Sequence, residues 1–276
     1  MDPHTFVTTV LNTDSKKDDD KKTLVMLGDS ITHQTLSGNF CRIIQKRRAS
    51  DLWVVNCGQN SILTYTILKE RVDWVVACNP HYVSVMIGTN DIKGVYCKEW
   101  GDGSKVTWNI DENVSFENFE KNLKAIIEKL VAETEAVVGV NTLVMMGEDL
   151  ERDANVHIRK ANVIIKKLAK AAGPRVTVID SYGNLEKYLL KNSTEEKRRA
   201  SLKVEDFGTV TSSLAIKMKL LGQSYNQVAK PYGLTVMVDA LHLNDTGAEV
   251  VAEGVLGWLN DNHDSDFVKI EHSSQN

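Results

Sequence analysis

The stretch "VMLGDSITHQ", residues 25–34, passes directly from apolar residues into the small and polar triplet Gly28, Asp29 and Ser30. An apolar run that stops at a turn predicts a buried strand, and Ser30 then lies where the backbone turns. A serine at such a turn is typical of a helix N-cap, and it also suits a nucleophile. The local sequence favours the cap, so the rest of the chain has to separate the two interpretations.

Apolar, β-branched runs bounded by turn residues recur along the chain and alternate with helical patterns. The strand-like runs cover 23–28, 52–57, 82–88, 136–146 and 175–180, and the helical patterns cover 36–49, 62–77, 116–135 and 155–172. Strands that are apolar throughout need cover on both sides, which a parallel sheet between helices provides. We therefore predict a three-layer α/β/α fold, with a flavodoxin-like five-stranded parallel sheet and helices on both faces.

The chain shows no internal linker that would divide it into two domains. We expect a single domain over residues 23–262, a mobile charged tail at 1–22 and a second tail at 263–276. The polar, helix-rich pattern of residues 183–229 predicts a helical insertion over the sheet edge or over a site.

Two helix starts are indicated by capping-box spacing. Ser193 with Glu196 predicts one start inside the insertion, and Thr246 with Glu249 predicts the start of a last helix over 246–261.

The composition is that of a soluble globular protein. The 276 residues are 42% hydrophobic and 25% charged, and the net charge is −4. This balance provides no basic surface for phosphates and argues against a nucleic-acid partner. The apolar runs are far shorter than the roughly 18 residues of a membrane span.

The cysteines and histidines do not have the spacing of a metal site. Cys41, Cys57, Cys78 and Cys97 form neither a C-x-x-C pair nor a zinc-ligand pattern, and no H-E-x-x-H motif occurs. We expect reduced thiols, a cytoplasmic protein, and neither a metal nor another cofactor. The oligomeric state is left open.

Polar residues follow three of the predicted strands. Ser30 follows the first strand, Gly58 the second and Asn90 the third, and Asp239 and His242 come shortly before the last helix. Ligands of open α/β sheets bind at the carboxyl ends of the strands, so we expect these residues to lie together.

These residue types are the parts of a serine hydrolase. Ser30 needs a base to take its proton, His242 suits that work, and Asp239 would hold the imidazole in one tautomer. The oxyanion formed by attack on a carbonyl needs fixed donors, which the N–H groups of Ser30 and Gly58 and the side chain of Asn90 would supply.

The motifs together resemble the four blocks of the SGNH hydrolases, also called the GDSL esterase and lipase family. "GDSIT" resembles the nucleophile block, Gly58 the second block, "GTND" the third and "DALH" the fourth, over residues 23–261. In the second block this chain reads "NCGQNSIL", where Ser61 stands for a second glycine and Leu63 for a threonine. The resemblance implies a flavodoxin-like sheet, no metal, and hydrolysis of a small-molecule ester through an acyl-enzyme. Acetyl esters are among the substrates that it admits.

Two other functions compete with the hydrolase. A flavodoxin-like phosphate or flavin binding module would use the hydroxyl-rich loop after the first strand, but Asp29 at its mouth and the unexplained "DALH" argue against it. An inactive SGNH scaffold would have no need for the complete set of site residues. The α/β-hydrolase fold requires G-x-S-x-G, which is missing from the sequence.

The sequence does not specify the substrate. Carboxylic esters, thioesters, acetylated sugars and lipids all fit the same chemistry. The segment 92–115, with Tyr96, Trp100 and Trp108, is either a pocket wall or packing, and 183–229 is either a lid or a support for the sheet.

Overall fold

The computed structural model describes residues 21–262, and its centre is a five-stranded parallel sheet. In chain order the strands are β1 (Lys22–Gly28), β2 (Leu52–Gly58), β3 (Tyr82–Met86), β4 (Val137–Asn141) and β5 (Val176–Ile179). Their order across the sheet is β2-β1-β3-β4-β5, with parallel pairing throughout. The predicted flavodoxin-like sheet is confirmed.

The helices form two groups that cover the sheet. In chain order they are α1 (Ser30–His33), α2 (Phe40–Arg47), α3 (Thr64–Glu70), α4 (Val72–Ala77), α5 (Thr89–Tyr96), α6 (Lys98–Trp108), α7 (Phe116–Glu133), α8 (Asp153–Ala171), α9 (Ser181–Asn192), α10 (Glu195–Ala200), α11 (Phe207–Ala215), α12 (Tyr225–Ala229) and α13 (Asp245–Asp261). Helices α2, α9 and α13 pack together, and α3, α4, α5, α7 and α8 pack together separately. This separation into two groups is that of a three-layer fold.

The sheet order determines where a site can form. Strand β1 is central, and its residues Leu24, Val25 and Leu27 are fully buried. The chain runs from β1 outward to β2 and then returns past β1 to β3, so the crevice of the sheet opens at the carboxyl ends of β1 and β3. Ser30 and Asn90 follow these two strands.

The fourth strand is shorter than the predicted 136–146. Strand β4 ends at Asn141, and one more backbone bond joins the Thr142 N–H to the Ile179 carbonyl of β5 at 2.9 Å. The buried residues from Leu143 onward belong to no strand. The side chain of Asn162 on α8 makes the backbone hydrogen bonds that a neighbouring strand would otherwise provide. It accepts from the Leu143 N–H at 2.7 Å and donates to the Leu143 carbonyl at 3.0 Å. Asn155 binds both backbone groups of Met146 in the same way.

The helix starts differ from both predicted capping boxes. The N-cap of α10 is Thr194 instead of Ser193. The N-cap of α13 is Asn244 instead of Thr246, and its side chain accepts from the Gly247 N–H at 2.9 Å. Asn244 can serve because its amide also donates to backbone carbonyls of the preceding loop, which no local pattern reveals.

Other predicted element bounds also differ from the observed ones. The predicted helix 62–77 is divided at Arg71 into α3 and α4, and the segment 92–115 contains the end of α5 and all of α6. The predicted insertion 183–229 contains most of α9, all of α10, α11 and α12, a 3-10 turn at Val204–Asp206 and a π turn at Ile216–Leu220. A further 3-10 turn follows it at Lys230–Tyr232.

Within residues 21–262, no helix combines the length and apolar character needed to cross a bilayer. The four cysteines are free thiols, of which Cys41, Cys57 and Cys78 are buried. Most of the predicted first tail and all of the second lie outside the described residues. The single domain stays a prediction.

A buried carboxylate joins the two helices that follow β2 and β3. Asp91 of α5 is 5% exposed and accepts from the Thr64 N–H, at 3.1 Å, and from the Thr64 hydroxyl. Burial raises the pKa of Asp91 to about 7, although the hydrogen bonds from Thr64 oppose that change. The folded protein therefore holds a proton on Asp91 at pH values where the unfolded chain has lost it.

Asp91 should make the protein less stable as the pH rises. A carboxyl group whose pKa is raised by folding makes its full contribution to the free energy of unfolding at pH values below its ordinary pKa. For Asp91 this contribution is lost as the pH rises from 4 to 7. Wild type should therefore lose about 2–3 kcal/mol relative to Asp91→Asn between pH 5 and pH 8 in urea unfolding. Asp261→Asn, at an exposed position, should track wild type. A constant difference between wild type and Asp91→Asn at both pH values would contradict the expectation.

Candidate active site

Ser30 begins a helix without being its cap. Asp29 is the N-cap of α1, and its Oδ1 accepts from the Ile31 N–H at 3.0 Å. Ser30 is the first helical residue, so its hydroxyl is left available for another partner. The turn requires glycine at 28, because a Cβ there would lie 2.4 Å from the Met86 carbonyl oxygen on β3.

Ser30, His242 and Asp239 form a continuous hydrogen-bonded chain. The Ser30 Oγ lies 2.8 Å from the His242 Nε2, and the His242 Nδ1 lies 2.8 Å from the Asp239 Oδ2. Ser30 is 7% exposed, His242 is 3% exposed and Asp239 is fully buried. The three side chains that the sequence singled out therefore meet at the carboxyl edge of β1.

The Asp239 carboxylate is held by its own loop and by a distant helix. Its Oδ1 accepts from the N–H groups of Leu241, at 3.0 Å, and His242, at 2.8 Å, while its Oδ2 also accepts from the Thr211 hydroxyl. Burial raises the pKa of Asp239, but His242 and these hydrogen bonds outweigh burial and leave the pKa below its ordinary value. The carboxylate is thus kept ionised beside the imidazole.

A second buried carboxylate fixes the loop that carries Asp239 and His242. Glu148 is fully buried, and its carboxylate accepts from the N–H groups of Thr235, Val236 and Met237. Burial raises the pKa of Glu148 against the effect of these bonds. Nearby, the Gly147 N–H donates to the Ala240 carbonyl at 2.7 Å.

The three expected oxyanion donors are not equally available. The N–H of Ser30 belongs to the first turn of α1 and has no acceptor within the helix. Asn90 uses one amide hydrogen on the Ile62 carbonyl, at 3.0 Å, and has a second. The Gly58 N–H donates to the Asn56 Oδ1 at 2.9 Å, so this donor already has a partner.

A half-buried cation lies one helical turn beyond Asn90. The Lys93 Nζ is 5.5 Å from the ring centroid of Trp100 and 5.2 Å from that of Phe207. Burial lowers the pKa of Lys93, while the nearby charges of Asp29 and Asp239 oppose the change. Burial raises the pKa of Asp29, which His242 and Lys93 partly offset.

The aromatic residues of the segment 92–115 have contacts within the fold. The Tyr96 hydroxyl contacts Glu205, and the Trp108 indole N–H donates to the Ser61 carbonyl at 2.7 Å. Trp100 packs edge-on against Phe207 of α11, with 5.7 Å between ring centroids. These are packing contacts, and a role of the segment as a pocket wall stays a prediction.

Sequence reasoning missed Glu148, Lys93 and Thr211. Glu148 closely follows a predicted strand, where the rule of inspecting strand ends could have found it. Lys93 lies three residues after Asn90, on the same side of a helix. Thr211 gives no local signal, because its partner lies 28 residues away along the chain.

Among the residues described, no three histidine, cysteine, aspartate or glutamate side chains are grouped so that they could hold a metal ion.

Comparisons with known proteins bear on the family and the fold. The model of the GDSL-like lipase/acylhydrolase family matches residues 26–250. A catalytic mutant of Axe2, an acetylxylan esterase from Geobacillus stearothermophilus, has a similar structure, with a TM-score of 0.61, 14% identity, and coverage of 86% of this chain and 93% of that chain. LAE5, an α/β hydrolase enzyme from the metagenome of Lake Arreo, Spain, is also similar in structure, with a TM-score of 0.59 and 16% identity. The match covers 86% of this chain and 94% of that chain.

The curated proteins give no significant match. At such low identities the two structures support the fold alone, whereas the family model covers most of the chain. The chain therefore belongs to the GDSL-like lipase/acylhydrolase family and is a hydrolase that acts on ester bonds.

Proposed function

We propose that this chain is a serine esterase that hydrolyses a small-molecule carboxylic ester through an acyl-enzyme intermediate. Ser30 is the nucleophile, His242 the general base and Asp239 the residue that orients the imidazole. The observation that carries the proposal is the chain of two 2.8 Å contacts from the Ser30 Oγ through His242 to Asp239. This is the arrangement that a serine needs to become a nucleophile near neutral pH.

The reaction follows from the two imidazole nitrogens. The His242 Nε2 takes the hydroxyl proton while the Ser30 Oγ attacks the carbonyl carbon, and it then returns that proton to the leaving alcohol. Water repeats the sequence on the acyl-enzyme, releasing the carboxylic acid and restoring the Ser30 hydroxyl. Throughout, Asp239 accepts from the Nδ1 and stabilises the imidazolium.

The oxyanion would be held by the N–H of Ser30, the N–H of Gly58 and the side-chain amide of Asn90. Ser30 and Asn90 each have a hydrogen to offer, as described above. Gly58 joins them when its N–H turns from the neutral Asn56 carbonyl to the charged oxyanion, since a charged acceptor gives the stronger hydrogen bond.

The acyl group is proposed to be short, with acetyl as the first candidate. Ser30 and His242 are almost entirely buried, so little room is open beside the reacting atoms. The structurally similar Axe2 is named an acetylxylan esterase, which adds acetylated carbohydrates to the substrates worth testing.

The competing functions are less well supported. A phosphate module would need the start of α1 for its anion, but the Asp29 carboxylate already caps that helix. An inactive scaffold leaves the hydrogen-bonded chain of Ser30, His242 and Asp239 without a purpose. The cytoplasmic location stays a prediction.

A fluorophosphonate should label wild type and fail to label Ser30→Ala, because the reagent adds to an activated serine hydroxyl. Ser50→Ala, at an exposed position, should be labelled like wild type. Mass spectrometry of the labelled protein should place the adduct on the peptide that contains Ser30. Equal labelling of Ser30→Ala would refute the assignment.

Asn90→Ala should lower kcat by about 100-fold to 1,000-fold and leave KM nearly unchanged, because the lost donor acts mainly in the transition state. Initial rates on a short p-nitrophenyl ester measure both constants. Asn192→Ala, at an exposed position on α9, is the matched control and should be neutral. An effect of Asn90→Ala on KM alone would count against the oxyanion role.

A panel of p-nitrophenyl esters from acetate to palmitate should give its highest kcat/KM at acetate and fall as the chain lengthens, because the buried site leaves little space. Acetylated xylo-oligosaccharides, measured in parallel by acetate release, test the carbohydrate. A maximum at long acyl chains would overturn the proposal of a short acyl group.

A further inference from the structure

The helix α11 contributes a side chain to the candidate site. The Thr211 hydroxyl contacts the Asp239 Oδ2, which is the oxygen that also faces the His242 Nδ1. We infer that Thr211 is a positioning residue for the proposed hydrolysis, holding the Asp239 carboxylate in place and weakening its pull on the proton of His242. This inference rests on the proposed function of Ser30, His242 and Asp239.

The hydroxyl proton of Thr211 has two possible acceptors. The Oγ1 lies 2.5 Å from the Asp239 Oδ2 and 3.0 Å from the Phe207 carbonyl oxygen. A hydroxyl carries one proton, and an ionised carboxylate is the stronger acceptor. The shorter distance and the charge both assign the proton to Asp239.

The bond completes the set of donors around the carboxylate. The Oδ1 has the N–H groups of Leu241 and His242, and the Oδ2 has the His242 ring and Thr211. Among the described residues, Thr211 is the donor from outside the loop 239–242. The loop backbone supplies the donors that hold the Oδ1, whereas the Oδ2 also needs the donor on helix α11.

Apolar packing fixes the position of α11 beside the loop. Val210 and Leu214 form a buried cluster with Val228 of α12 and with Val238. Val238 directly precedes Asp239, and Val210 directly precedes Thr211. The same cluster therefore sets the place of the donor and of its acceptor, and it makes residues 207–215 part of the proposed site.

Removing the hydroxyl should change how strongly His242 holds a proton. A carboxylate that shares less of its charge with Thr211 attracts the imidazolium more strongly. The other ionisable groups facing this pair are Asp29 before α1, Lys93 on α5 and Tyr225 on α12, and the substitution alters none of them. The acid limb of kcat/KM should then lie at a higher pH than in wild type.

The test compares kcat/KM from pH 5 to pH 9 on a short p-nitrophenyl ester for full-length wild type, Thr211→Val and Thr211→Ser. In Thr211→Val the acid limb should move up by about 0.5–1 pH unit, and kcat on the plateau should fall about threefold to tenfold. Thr211→Ser keeps a hydroxyl and should return the limb to the wild-type position. Thr209→Val makes the same change at an exposed position of α11 and should match wild type.

A second variant guards against disturbed packing. Thr211→Ala removes the hydroxyl without adding bulk, so it must also move the acid limb of the kcat/KM profile to a higher pH. Thermal unfolding of each variant confirms that it is folded. Superimposed pH profiles for wild type, Thr211→Val and Thr211→Ala would overturn the inference about Thr211. Fluorophosphonate labelling distinguishes failure of the inference about Thr211 from failure of the proposed function, because labelling of Ser30→Ala would refute the proposed function itself.

Discussion

A carboxylate removed from water has to be surrounded by hydrogen-bond donors, and this constraint organises the carboxyl edge of the sheet. Four acidic side chains are buried there: Asp29, Asp91, Glu148 and Asp239. Each accepts from backbone N–H groups of a loop or a helix start, so each fixes a piece of chain that has no strand to hold it. The loops around Ser30 are thereby given one conformation before any substrate arrives, which suits a site that depends on preorganised donors.

The buried negative charge at this edge is partly balanced by the cation Lys93. Lys93 lies near Asp29 and Asp239, and it also lies beside the rings of Trp100 and Phe207. Because Lys93 belongs to the same helix as Asn90, and Phe207 to the same helix as Thr211, this balance connects α5 and α11 across the site. The segments 92–115 and 183–229, whose roles the sequence left open, are thus in contact with each other through Trp100 and Phe207.

The sheet and the three side chains at its edge were accessible from the sequence because each has a local cause. Apolar runs form buried strands, and the residue after each strand faces the crevice. Errors arose where contacts between separate segments decided the outcome. Asn162 satisfied the backbone at Leu143, and bonds to the loop 235–237 placed Asn244 at the cap expected at Thr246. Glu148 bonds backbone groups 87 to 89 residues away, and such contacts leave no periodic trace in a single sequence.

The bond between the Gly58 N–H and the Asn56 Oδ1 gives the resting protein an internal acceptor at one of the proposed oxyanion donors. A neutral ester carbonyl competes with the neutral amide oxygen of Asn56 on roughly equal terms, so the ground state gains little from this donor. The charged tetrahedral intermediate competes much better. The Gly58 N–H would therefore stay bonded to Asn56 while the substrate is bound, and it would bond the oxyanion in the transition state. A hydrogen bond that forms only in the transition state accelerates the reaction.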